Sequence, residues 1–182
     1  RAATVQAVVD LAAEQNPAEI TTTEIAAHMG LTQGALFRHF ESKDAILQAT
    51  MSWVSERLLA RLDKAAQGVA SPAAALEAMF MTHIEFIARH PGVPRVLFGE
   101  LQRSGTSLTR KMVQTLLRHY RQRLHALLEA GKAQGELDAQ LDVDALTQAS
   151  LGDEEHIAEV DALRTTIVQL IVRVERAPPA EP

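Results

Sequence analysis

Four polar side chains between residues 33 and 43 have the chemistry needed to bind double-stranded DNA. Gln33 can pair with adenine through N6 and N7, and Arg38 can bind guanine or a phosphate. His39 and Lys43 follow closely and can contact backbone phosphates. To bind DNA, these side chains must be carried into a groove by a secondary-structure element. The helices predicted around residues 33–43 therefore decide whether DNA binding is plausible.

The sequence around these side chains predicts a helix-turn-helix. Thr21 and Glu24 have the spacing of a capping box that begins one helix, and Gly30 can form the left-handed turn that ends it. Thr32 is placed to cap a second helix over about 33–40, and Ser42 to cap a long helix after it. In this motif the second helix enters the major groove with its N-terminal end. Four residues are placed to form the small core between the two short helices: Ile25, Ala26, Leu31 and Leu36.

The rest of the chain is also predicted to be helical. Apolar residues recur three and four positions apart, without the sustained alternation of a strand. The fold class is therefore all-α, with an N-terminal three-helix helix-turn-helix domain joined by a long helix to a helical bundle.

The string from Thr21 to Leu47 resembles the signature of the tetracycline repressor family. It contains Thr-Thr-x-x-Ile-Ala, then Gly-Leu-Thr-x-Gly-x-Leu-Phe-x-His-Phe-x-Ser-Lys-x-x-Ile-Leu. The resemblance is specific over about residues 1–50. It implies a bacterial transcription regulator, usually a repressor released by a small molecule, that binds a palindromic operator as a homodimer. The corresponding domains are a DNA-binding domain at 1–46, a helical ligand-binding and dimerisation domain at 47–176, and a disordered tail at 177–182.

Under this resemblance nine residues fall at DNA-contacting positions: Thr22, Thr32, Gln33, Gly34, Ala35, Phe37, Arg38, His39 and Lys43. The two threonines can meet phosphates at helix N-termini or simply cap the helices. Gly34 and Ala35 are small enough for the backbone to approach the bases. Phe37 stands where the family commonly has Tyr, so a phenol hydroxyl is not available there. For Arg38 an exposed ion pair with Glu41 remains the alternative.

The segment 159–174 is apolar around most of its girth, which predicts burial on two sides. A partner's matching helix would supply the second side in a symmetric four-helix interface. A helix fully internal to a monomer is the alternative. The residues predicted at the dimer interface are Val160, Leu163, Ile167, Leu170, Ile171 and Val174.

A second set of mainly aromatic residues predicts an apolar ligand pocket with a few polar groups. Each member has an ordinary core role as its alternative. The set is Phe80, His83, Phe86, Phe98, Leu101 and Tyr120.

Composition limits the other classes of function. The 182-residue chain has no cysteine, which excludes disulfides and thiolate metal sites and favours a reducing cytoplasm. No apolar run is long enough to span a membrane. The chain begins at Arg1 without an initiator Met, so we expect the natural N-terminus to lie upstream.

Neither an enzyme nor a metal or cofactor site is predicted. Glu24 and His28 share a helical face without a third ligand, and the acidic and histidine residues at 153–156 are consecutive and do not converge. No nucleophile elbow or glycine-rich phosphate loop occurs.

The remaining alternative is a dimeric interaction module of the same fold without sequence-specific DNA binding. The formal net charge of −5 and the three basic against six acidic residues of segment 1–44 favour that alternative.

Overall fold

The computed structural model describes residues 1–149, and the only regular elements in that range are helices. They are α1 (Ala2–Glu14), α2 (Thr22–His28), α3 (Gln33–Phe37), α4 (Lys43–Ala66), α5 (Pro72–Arg89), α6 (Gly92–Gln102), α7 (Leu108–Ala133) and α8 (Val143–Ala149). The all-α prediction is confirmed. The predicted dimer-interface residues and the predicted tail at 177–182 lie outside the described residues.

The chain divides into two compact units. Among the described residues, unit 1 contains 1–61 and 83–116, and unit 2 contains 62–82 and 117–149. The predicted functional domains, 1–46 and 47–176, remain predictions. No helix among residues 1–149 is long and apolar enough to cross a lipid bilayer.

In unit 1, α6 packs directly on α1. Gly92, the first residue of α6, is buried where α1 presents the backbone of Val9 and Ala13. Arg95 donates from Nη1 to the carbonyl of Ala13 at 3.2 Å and fixes the same contact from the helix surface. The absence of a side chain at Gly92 therefore sets how closely the two helices approach.

An aromatic cluster joins α4 to the end of α5 within unit 1. The ring centroids of Trp53 and His90 are 5.0 Å apart, and those of Phe86 and His90 are 4.9 Å apart. The guanidinium groups of Arg57 and Arg61 lie over the rings of Trp53 and Phe86 at 5.1 and 5.6 Å. Phe86 is fully buried, so it acts as the centre of this packing.

Unit 2 has its own small core and a capping interaction between distant segments. Leu128, Leu137 and Val143 are buried together. Glu136 accepts from the hydroxyl of Ser71 at 2.8 Å and from the amide of Ala73 at 2.9 Å. An acidic group at a helix N-terminus accepts from the free amides and interacts favourably with the positive end of the helix dipole. Glu136 therefore stabilises the start of α5.

Candidate nucleic-acid interface

The capping box at the start of α2 is formed as predicted. The amide of Thr21 donates to Oε2 of Glu24 at 2.7 Å, and the amide of Glu24 donates to Oγ1 of Thr21 at 3.1 Å. The pKa of Glu24 is held below its usual value, mainly by the hydrogen bond from the Thr21 amide and to a smaller extent by that from the Thr21 hydroxyl. The carboxylate of Glu24 is therefore already engaged in the fold.

The turn between α2 and α3 also follows the sequence prediction in most respects. Gly30 has φ of 68°, and the next amide, that of Leu31, donates to the carbonyl of Ala26 at 2.8 Å. Thr32 caps α3 by accepting from the amide of Ala35 at 3.2 Å. Ile25, Ala26 and Leu36 are buried as predicted. The placement of Leu31 in the core is wrong: its side chain is 43% exposed, because the residue lies in the turn and not on a helix face.

The helix α3 is shorter than the predicted 33–40, since it ends at Phe37. The carbonyl of Leu36 accepts from the amides of both His39 and Phe40, at 3.0 and 3.2 Å. This shared acceptor closes the last turn, so Arg38 and His39 lie in a turn after the helix. Phe40, directly after this turn, is buried in the core.

The exposed face of α3 consists of Gln33, Gly34 and Phe37, and Arg38 continues this face in the turn directly after the helix. Their one- and four-residue spacing places them together, whereas Leu36 is buried. A Cβ added at Gly34 would meet no atom of the protein within 4 Å. The folded chain therefore places no packing demand on Gly34, and the backbone here is open to an outside partner.

Gln33 connects this face to α2. Its Nε2 donates to Oγ1 of Thr22 at 2.8 Å. The bond joins two predicted DNA-contacting residues that are 11 positions apart in sequence. The structure thus brings Thr22 and Gln33 together, whereas the sequence analysis assigned their roles separately.

The basic residues of the interface differ in how they are held. Arg38 and His39 are exposed, and no ion pair between Arg38 and Glu41 occurs among residues 1–149. Lys43 is half-buried and donates from Nζ to the carbonyl of Ala18 at 3.1 Å. The pKa of Lys43 is lowered mainly by burial and to a smaller extent by the nearby charge of Arg103. Lys43 is therefore anchored to the segment between α1 and α2.

A polar contact at the start of α4 was missed by the sequence analysis. Nη1 of Arg103, at the end of α6, donates to Oδ1 of Asp44 and to Oε1 of Glu100, each at 3.2 Å. Asp44 and Arg103 are 59 residues apart, and no local spacing rule relates them. Only the packing of α6 near α4 brings them together.

The six predicted ligand-pocket residues are divided between the units. Phe80 and Tyr120 belong to unit 2, and His83, Phe86, Phe98 and Leu101 belong to unit 1. Burial raises the pKa of Tyr120 and lowers that of His83 to about 4. None of the six lines the surface groove of about 360 Å³ that the structure forms between α4 and α7. That groove is lined by Ser52, Ser55, Glu56, Leu108, Lys111, Met112 and Thr115.

The partial burial of His83 predicts an acid-sensitive contribution to stability. Between pH 6.5 and 4 the unfolded imidazole binds a proton that the folded one excludes, so the free energy of unfolding falls as pH falls through this range. His83→Asn should remove that loss, by at most about 3 kcal/mol. Urea unfolding at pH 7 and pH 4.5 measures it, with the exposed His39→Gln as control. Equal pH dependence in wild type and His83→Asn would contradict the assignment.

Two family models match the sequence over the region that forms this interface and over the following helices. Residues 5–50 match the bacterial regulatory proteins of the tetR family. Residues 69–159, half of the chain, match the tetracyclin repressor-like C-terminal domain. The predicted resemblance to the tetracycline repressor family is confirmed over a much larger part of the chain than its signature covers.

A relative by sequence is the nucleoid occlusion factor SlmA of Haemophilus ducreyi. It is 34% identical over 89 residues, which are 49% of this chain and 44% of that protein. SlmA of Shewanella sediminis is 31% identical over 113 residues, which are 58% of this chain and 57% of that protein. The match thus spans about half the length of these relatives.

Solved structures of regulators share the fold. FadR of Bacillus subtilis, in complex with stearoyl-CoA, has a TM-score of 0.72 at 20% identity, covering 96% of this chain and 95% of that chain. AibR, in complex with isovaleryl coenzyme A and operator DNA, has a TM-score of 0.69 at 16% identity, covering 100% and 89%. The matched N- and C-terminal family models show that the chain belongs to the tetR family of bacterial regulatory proteins.

Proposed function

We propose that this chain is a ligand-responsive transcription regulator, a repressor, that binds a palindromic operator as a homodimer in the bacterial cytoplasm. The exposed face of α3 is the single observation that carries the proposal. It presents Gln33 and Arg38 beside an unobstructed backbone at Gly34, on a helix capped by Thr32. This is the arrangement that a recognition helix needs in order to enter a major groove.

The predicted contacts divide into base reading and phosphate binding. Gln33 reads adenine, for which its side chain exchanges the hydrogen bond with Thr22 for one with the base. Arg38, His39 and Lys43 bind the backbone, Lys43 from the first turn of α4. The exposed ring of Phe37 packs on sugar, because it cannot hydrogen-bond a phosphate.

Dimerisation and ligand control follow from the family membership and supply the switch. The sequence predicts that the interface between two copies is the apolar segment that contains Val160 and Val174, which lies outside the described residues. A ligand that prefers one angle between the subunits shifts the protein away from the operator-binding geometry. Since FadR and AibR bind coenzyme A thioesters, this is the first ligand class to test.

Gln33→Ala tests base reading. We expect it to weaken binding to the preferred operator by about 10- to 100-fold and to relax sequence choice at one position, since a bidentate contact to one base is lost. Selection from a random DNA pool, followed by mobility-shift titration, measures both effects. Gln122→Ala, on the exposed surface of α7, is the matched control. An unchanged selected sequence would exclude Gln33 as a base-reading residue.

Lys43→Met tests phosphate binding. We expect weaker binding to every sequence, and a salt dependence whose slope is reduced by about one unit, because one fewer counterion is released. The slope is measured by titrations between about 50 and 200 mM salt, a range over which phosphate contacts make the affinity fall steeply. The exposed Lys64→Met, near the other end of α4, is the control. A slope equal to that of wild type would rule out a phosphate contact by Lys43.

The interaction module remains the second candidate, favoured by the acidic balance of residues 1–44 and by Phe37. The same selection separates the two candidates, since a module without sequence-specific binding enriches no palindrome.

A further inference from the structure

We infer that Arg103 is a positioning residue for DNA binding: through Asp44 it fixes the first turn of α4, from which Lys43 contacts the phosphate backbone. The inference rests on the proposed function. It adds a residue at the end of α6, far in sequence from the helix-turn-helix.

The contact is built on one nitrogen. Nη1 of Arg103 lies 3.2 Å from Oδ1 of Asp44, 3.2 Å from Oε1 of Glu100 and 3.5 Å from Oε2 of Glu100. The pKa of the guanidinium is raised above its usual value, mainly by the hydrogen bond to Asp44 and then by the charge of Glu100. Arg103 therefore bridges one carboxylate on its own helix and one on α4.

Burial of Glu100 distinguishes this contact from an ordinary exposed ion pair. Glu100 is only 5% exposed, and a buried carboxylate is costly unless a cation stays beside it. Arg103 is thus held in place by Glu100 before it reaches Asp44. An arginine whose orientation is already fixed loses less side-chain entropy on forming the second bond than a freely moving one.

The backbone of the same residue is fixed by α7. Nη1 of Arg110, in the first turn of α7, donates to the carbonyl of Arg103 at 2.9 Å and to that of Gly105 at 3.4 Å. Both ends of Arg103 are consequently restrained, its guanidinium by Glu100 and its carbonyl by Arg110. The residue forms a rigid point against which α4 can be placed.

The first turn of α4 is then held on two sides. Asp44 is bound to Arg103, and its neighbour Lys43 is bound to the carbonyl of Ala18 at 3.1 Å. Ser42 caps the turn by accepting from the amide of Ala45 at 3.1 Å. Without the contact to Arg103, the turn would keep the bond of Lys43 to Ala18, the Ser42 cap and the buried side chain of Ile46, but would lose its link to α6. Its position relative to α3 would then vary more.

Asp44→Asn gives a test in which two explanations predict opposite signs. Removing an acidic charge beside a DNA-binding surface strengthens binding if charge alone matters. If Asp44 serves to position α4, the same substitution weakens binding, by about fivefold, the upper range for an exposed ion pair. The substitution leaves Arg103 paired with Glu100, so the buried carboxylate keeps its partner.

Glu41→Gln is the matched control, because it removes an exposed acidic charge three residues away that has no ion pair among residues 1–149. We expect binding equal to or tighter than that of wild type. Fluorescence anisotropy with the selected operator measures both variants, and thermal melting verifies that they fold. Asp44→Asn binding as tightly as Glu41→Gln would overturn the inference. Wild type that binds no DNA would overturn the proposed function, and the inference with it.

A double-mutant cycle between Arg103→Gln and Lys43→Met identifies the route of the effect. A positioning residue that acts through the first turn of α4 causes little further loss of affinity once Lys43 is removed. Additive losses would mean that Arg103 binds DNA itself and would overturn its positioning role. Arg103→Lys should restore part of the affinity, and Arg89→Gln, which breaks an exposed ion pair of α5, should leave it unchanged. If Arg103→Gln does not fold, the comparison of Asp44→Asn with Glu41→Gln still decides.

Discussion

Gly92→Ala is expected to lower the free energy of unfolding by about 3–5 kcal/mol, since α6 could no longer pack on α1. An added Cβ would overlap the carbonyl oxygen of Val9 and lie 2.8 Å from the amide nitrogen of Ala13. These are backbone atoms of a buried helix, so they cannot move aside as a flexible side chain would. Urea unfolding followed by circular dichroism measures the loss.

Gly99→Ala is the control for Gly92→Ala, because it makes the same chemical change in the same helix. Its Cβ would lie 3.7 Å from Cβ of Pro17, an ordinary contact. We expect stability equal to or about 1 kcal/mol above that of wild type, from the higher helix propensity of alanine. If Gly92→Ala were as stable as Gly99→Ala, the close packing of α1 and α6 described above would be wrong.

Gly34→Leu is expected to abolish operator binding without affecting the fold. The position has open space around its Cβ, and leucine is a good helix former, so stability should be maintained or slightly raised. On DNA the same side chain would prevent α3 from approaching the bases. We expect a loss of affinity of at least about 100-fold, equivalent to about 2.7 kcal/mol.

Both affinity and stability must be measured for Gly34→Leu, because we expect the affinity for DNA to fall while the stability is unchanged. Mobility-shift titration gives the affinity, and thermal melting gives the stability. Gly34→Ala provides an intermediate size and should give an intermediate loss. Binding by Gly34→Leu at the wild-type level would show that this face of α3 does not meet DNA.

The local features of the interface could be predicted from sequence because they depend on neighbouring residues. The capping box of Thr21 and Glu24 and the cap at Thr32 each relate residues three positions apart, and both are formed. The left-handed turn at Gly30 is likewise a property of one residue type. The end of α3 was misplaced by three residues, because the double use of the Leu36 carbonyl leaves no sequence signal.

Features that depend on distant residues could not be predicted. Gly92 follows a proline, which indicates only a break between helices, whereas in the structure it forms a close contact between α6 and α1. The link from Arg103 to Asp44 and the cap of α5 by Glu136 have the same origin. The ligand pocket remains a prediction, since the groove between α4 and α7 is lined by none of the six residues chosen for it.

If Gln33 reads bases as proposed, its hydrogen bond to Thr22 affects how the protein searches a genome. While the protein slides along arbitrary DNA through phosphate contacts alone, the amide of Gln33 is already satisfied within the protein and makes no demand on the passing bases. A cognate base must compete with the Thr22 hydroxyl, so a partly matching sequence gains little and is left quickly.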